Sequence, residues 1–119
     1  MPIATSLRIL ICLSLVWAVA CTKKEPVKPV AELTPAELVV RGRKIFLANC
    51  ASCHGANPKE NGTVGPAIAG SSLELITARV LRAEYPPGYT PKRKTGAMVA
   101  LPHLKDDLPA IYAYLDSEK

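Results

Sequence analysis

Cys50-Ala51-Ser52-Cys53-His54 decides how the rest of the chain is read. Two thiols stand three positions apart, and an imidazole follows the second directly. The segment closes a stretch with helical spacing. Thr34-Pro35-Ala36-Glu37 is a helix start: Thr34 can cap, Pro35 suits the first helical position, and Glu37 can close a capping box. Leu38, Val39, Gly42, Ile45 and Phe46 then recur at intervals of three and four, giving one buried stripe. Arg41, Arg43 and Lys44 fall mostly off it. The spacing predicts a helix over 35–49, with Cys50 emerging at its C-terminal end.

Downstream, Ser71-Ser72-Leu73-Glu74 marks a second start. Leu73, Ile76, Thr77, Val80 and Leu81 form its apolar face, which ends near Glu84. Tyr85-Pro86-Pro87-Gly88-Tyr89-Thr90-Pro91 stops any helix. A last helix begins among Asp106, Asp107 and Pro109, where the acidic side chains suit its positive end. Leu108, Ile111, Tyr112, Tyr114 and Leu115 supply its apolar positions. No segment alternates with period two for long, and no internal repeat is visible. The expected fold is all-α: three main helices with long loops, forming one domain over residues 34–119.

Two thiols at this spacing can each bond one vinyl group of a haem, and the next residue's imidazole is then held under the iron. The motif therefore reads as c-type haem attachment through Cys50 and Cys53, with His54 as proximal ligand. Other readings remain open for the five residues alone. A redox dithiol needs the cysteines but has no use for a fixed histidine. Structural zinc needs a fourth ligand, and no third cysteine is near. A plain disulfide suits an exported protein. A chain of 119 residues with 5% aromatic content buries a modest core, so a large prosthetic group is a plausible part of it.

From Gly42 to its C-terminus the chain resembles the class I bacterial cytochromes c. Gly42, Phe46, Cys50, Cys53 and His54 match that family's first-helix pattern. The resemblance implies a small cytochrome c fold around one haem. It implies that Gly42 and Phe46 pack against an aromatic of the terminal helix, here Tyr114. It also implies that Pro66, in Gly62-Thr63-Val64-Gly65-Pro66-Ala67-Ile68-Ala69-Gly70, accepts a hydrogen bond from the second ring nitrogen of His54, which would fix its tautomer and raise its donor strength. Taken alone, that segment is an ordinary Gly-Pro turn. The family's axial methionine corresponds to Met98. The chain departs from the pattern there, because Val99-Ala100-Leu101 separates Met98 from Pro102, and His103 is a competing candidate. A sixth position left open is the third option.

Thioether ligation favours reduced iron and raises the potential relative to two imidazoles. A ligand pair kept in both oxidation states leaves no place for a substrate. The expected role is single-electron transfer and not catalysis, by a free shuttle or by a subunit of a larger oxidoreductase. A haem enzyme or gas sensor with an open iron site, and a haem-free thiol protein, are the alternatives. Phe46, Ile68, Leu73, Ile76, Val80 and Leu101 are the expected haem walls. Tyr85, Tyr89, Arg93 and Arg79 are the candidate donors to its propionates.

The first twenty residues read as an export signal. Arg8 is their only charged side chain, and Ile9 to Trp17 is a short apolar run, too short for a comfortable membrane-spanning helix. Cys12 belongs to that run. Ala18-Val19-Ala20-Cys21 resembles the bacterial lipobox, with Ala18 where leucine is usual. That resemblance implies cleavage before Cys21, diacylglyceryl attachment to its sulfur, and a protein anchored to a membrane on the periplasmic side. Two acyl chains would hold it stably. Cleavage removes Arg8 and no carboxylate, which takes the net charge from +5 to +4. Residues 21–33, with Pro26, Pro29 and alternating charges, read as a flexible tether. Lys92-Arg93-Lys94 approaches Met98 and can steer docking to an acidic-surfaced redox protein. Nucleic acid is not an expected partner: no recognition motif accompanies the basic charge, and export removes the usual one.

Overall fold

The computed structural model describes residues 26–119. The export signal, Cys12 and the lipidation candidate Cys21 lie outside the described residues. Helix α1 spans Pro35–Asn49, the one-turn α2 Ala51–His54, α3 Leu73–Arg82 and α4 Leu108–Ser117. No strand occurs among the described residues. The architecture is all-α, as expected, with three long helices and extended loops between them.

The capping box forms in full. Glu37 N–H donates to Thr34 Oγ1 at 3.3 Å, and Thr34 N–H donates to Glu37 Oε2 at 2.8 Å. The Thr34 hydroxyl also donates to that carboxylate, and Lys28 pairs with it at 2.9 Å. These contacts, the Thr34 amide bond foremost, lower the Glu37 pKa from 4.5 to about 2. The Lys28 contact fastens part of the expected tether to the domain. Val30–Glu32 forms a single 3-10 turn there, and the Lys28 carbonyl accepts from Arg41 at 3.4 Å.

The core sits where α1 crosses α4. Phe46 is fully buried and its ring lies 5.4 Å from that of Tyr114, tilted by 52°. Such pairs add about 0.5–1.5 kcal/mol beyond their area burial. Gly42 permits the crossing. A Cβ added there would strike the Ala110 carbonyl and come within 2.8 Å of Tyr114 Cβ. The Arg41 guanidinium closes one edge of the interface on the Asp107 carboxylate at 2.7 Å. Ile76, Val80, Leu104, Leu108, Ile111 and Leu115 complete the core.

The sequence reading of α3 needs one correction. Leu73 is exposed, because it starts the helix in a turn that projects past the core; Ile76, Ala78 and Val80 are the buried positions. The helix ends at Arg82, where Ala83 adopts a left-handed conformation and its carbonyl accepts from Arg79 at 2.5 Å. A 3-10 segment, Pro102–Asp107, leads directly into α4.

Candidate haem site

Each element of the motif is placed by a short-range backbone contact. Cys50 N–H donates to Phe46 O at 2.8 Å, so the chain leaves α1 without losing helical register. His54 N–H donates to Cys50 O at 2.9 Å, which turns the imidazole back beside the two thiols. Cys50 is half-buried and Cys53 exposed, and neither is in a disulfide. Before the haem is attached, burial pushes the Cys50 thiol up to about 11, with Cys53 adding to the shift.

The loop after the motif folds flat against it. Val64 and Gly65 both donate to the Cys53 carbonyl, at 3.2 and 2.8 Å, and Gly62 donates to Gly65 O at 3.0 Å. Gly65 is buried against the imidazole: a Cβ there would lie 2.5 Å from both His54 Nδ1 and Cε1. That approach brings the Pro66 carbonyl 2.9 Å from His54 Nδ1. A carbonyl can only accept, so Nδ1 carries the proton of this bond, and in the neutral imidazole the lone pair is then on Nε2. The contact implied by the resemblance is therefore present in the geometry.

His54, Cys50, Cys53, Pro66 and Met98 line one cavity. Ile68, Ile76, Val80 and Leu101 form apolar walls, as expected, and Leu75 joins them. Phe46 and Leu73 are not walls. Phe46 is enclosed between α1 and α4, and Leu73 faces a separate groove on α3. Met98 is half-buried at the edge of the core. His103 is exposed and lies off the cavity.

All four candidate propionate donors line the cavity. The Arg79 guanidinium stands 4.1 Å over the Tyr85 ring, and Tyr85 stacks on Tyr89 with centroids 5.4 Å apart. Among the described residues no carboxylate lines the cavity, whereas Arg79, Lys92 and Arg93 do.

The cytochrome c family model matches residues 39–119. The chain belongs to the cytochrome c family. A comparison with curated proteins and another with solved structures return no match. Family membership settles the fold class and the cofactor: an all-α cytochrome c domain with a covalently bound c-type haem, attached through Cys50 and Cys53. No cluster of three or more His, Cys, Asp or Glu that could hold a metal ion occurs among the described residues.

The residues of this cytochrome fit the group on their own chemistry. The cavity offers two thiols for the thioether bonds, an imidazole whose Nδ1 is engaged by a carbonyl, a thioether sulfur, apolar walls and a cationic rim with no carboxylate among the described residues. The haem supplies an iron that changes oxidation state, and the family's work is electron transfer. Two contributors were not singled out in the sequence. Gly65 had a visible signal, its place directly before Pro66. Leu75 had only its helical spacing from the serines that start α3.

Proposed function

We propose that the protein is an exported, membrane-anchored monohaem electron carrier of the class I type, with His54 and Met98 as the axial ligands. The observation that carries the ligand assignment is that His54 and Met98 line the same cavity while His103 is exposed outside it. The Pro66 carbonyl supports the histidine half, because its bond to Nδ1 leaves Nε2 free to donate to iron. With both axial positions taken by side chains of this chain, the iron would offer none to substrate or gas and would exchange electrons with partners docked at the cavity mouth.

The composition of that mouth supports a protein partner with an acidic surface. Val64 and Val99 are exposed there, and Lys92 and Arg93 flank them. A small apolar patch ringed by cations suits a brief, salt-sensitive redox encounter. Anchoring through Cys21 would keep the domain at the membrane surface.

The test is carbon monoxide added to the reduced, folded protein. The proposal expects no spectral shift and electron exchange with a small redox mediator that slows as salt is raised for an acidic protein partner. A clear carbon monoxide shift would mean a weakly held or open sixth position and favour an enzyme or sensor. For the anchor, Cys21→Ser should move the protein from the membrane fraction to the soluble fraction. Retention in the membrane would contradict lipidation at that residue.

A further inference from the structure

Two side chains bridge the loop that carries Met98 and the loop that steadies His54. Lys92 Nζ donates to Ala67 O at 2.9 Å, and Arg93 donates through a terminal guanidinium nitrogen to Val64 O at 3.0 Å. The two acceptors straddle Pro66, whose carbonyl faces His54. At its far end the methionine loop is fastened by Leu101 N–H to Val80 O at 2.6 Å. Between these points, residues 94–100 make no hydrogen bond among the described residues. Met98 thus lies inside a span that is hydrogen-bonded only at its two ends and packs between them against the edge of the core. Such a span opens locally with a free energy set by its fastenings and by what its side chains bury.

We propose that Lys92 and Arg93 form a clasp that sets how firmly Met98 holds the sixth iron position. They are positioning residues, acting through the loop and touching no reacting atom. The inference rests on the reading of Met98 as a ligand. Both bonds are charge-assisted, which makes them stronger than ordinary side-chain contacts to carbonyls. With the clasp closed, the loop is tied across the mouth to the very segment that orients His54. With the clasp cut, the fraction of molecules with Met98 released rises, and an added ligand binds more tightly in proportion to that fraction.

The experiment is an imidazole titration of the ferric holoprotein, read by loss of the weak far-red sulfur-to-iron band. The double variant Lys92→Gln/Arg93→Gln loses two bonds and is expected to bind imidazole roughly tenfold more tightly. Arg93→Lys, which keeps a charged donor, is expected to fall between it and the wild type. Lys94→Gln removes a neighbouring charge that makes no hydrogen bond among the described residues, and is expected to leave the affinity unchanged. The haem stays covalently attached in every variant, so the reduced spectrum counts intact protein. Wild-type affinity in the double variant, with the band present, would overturn the clasp alone. An equal effect from Lys94→Gln would overturn it too, by showing a general charge effect. A wild type without the band would overturn the ligand reading and the clasp together.

Discussion

Replacing Gly42 by alanine puts a methyl group where α1 meets α4. Its Cβ would lie 2.6 Å from the Ala110 carbonyl carbon and 2.8 Å from Tyr114 Cβ, and nearer still to the Ala110 oxygen. Carbon atoms in contact sit about 3.5–4.0 Å apart, so the helices must separate by roughly 1 Å. Overpacking of this kind costs about 1–3 kcal/mol, and the upper part of that range applies because backbone and Cβ atoms have no rotamer to escape into. Alanine recovers about 1 kcal/mol of helix propensity. The expected net loss is about 2 kcal/mol, or roughly 8–16 °C in melting temperature for a domain of this size. Denaturant titration of the holoprotein measures it. Gly96→Ala is the control, since nothing lies within 4 Å of the Cβ it would add. A Gly42→Ala protein as stable as the wild type, or more so, would refute the argument, because helix propensity alone predicts a gain.

Gly65→Ala forces a methyl against the His54 ring, so the ring or the Pro66 loop must move. A loss of about 1–3 kcal/mol in denaturant titration is expected, together with displaced His54 resonances in the NMR spectrum of the reduced protein. Phe46→Ala empties a fully buried position beside Tyr114 and should cost about 3–5 kcal/mol by the same assay. Glu37, whose pKa falls from 4.5 to about 2 on folding, contributes stability that is complete above pH 4.5 and lost as the pH falls toward 2. Glu37→Gln removes that contribution, so unfolding midpoints of variant and wild type should differ at neutral pH and converge across this window.

Local signals carried most of the reading. The Thr34–Glu37 capping box fixes the start of α1, and the apolar spacing fixes its course, because both depend on residues within a few positions of each other. The cysteine pair and His54 are likewise one turn of chain. Gly42 against Tyr114 and Pro66 against His54 were legible only through the resemblance, since each joins segments far apart in sequence or loop. What escaped was of two kinds. Periodicity treats all positions of a helix alike, so it could not tell that Leu73 would project from the first turn of α3 or that Phe46 would be sealed in the helix crossing and not in the cavity wall. Backbone carbonyls, moreover, leave no mark in a sequence. Lys92 and Arg93 read as a docking run, and Arg93 as a propionate donor, because their acceptors, Ala67 O and Val64 O, belong to residues with no polar side chain to advertise them.

Met98 is the proposed partner of His54 in holding the iron of this electron carrier. The most direct measurement is the far-red absorption of the oxidised, full-length holoprotein, recorded for the wild type, Met98→Ala and His103→Ala. The account predicts the sulfur-to-iron band in the wild type, its loss in Met98→Ala and its retention in His103→Ala. A wild type without the band, or a band that survives in Met98→Ala, would contradict it.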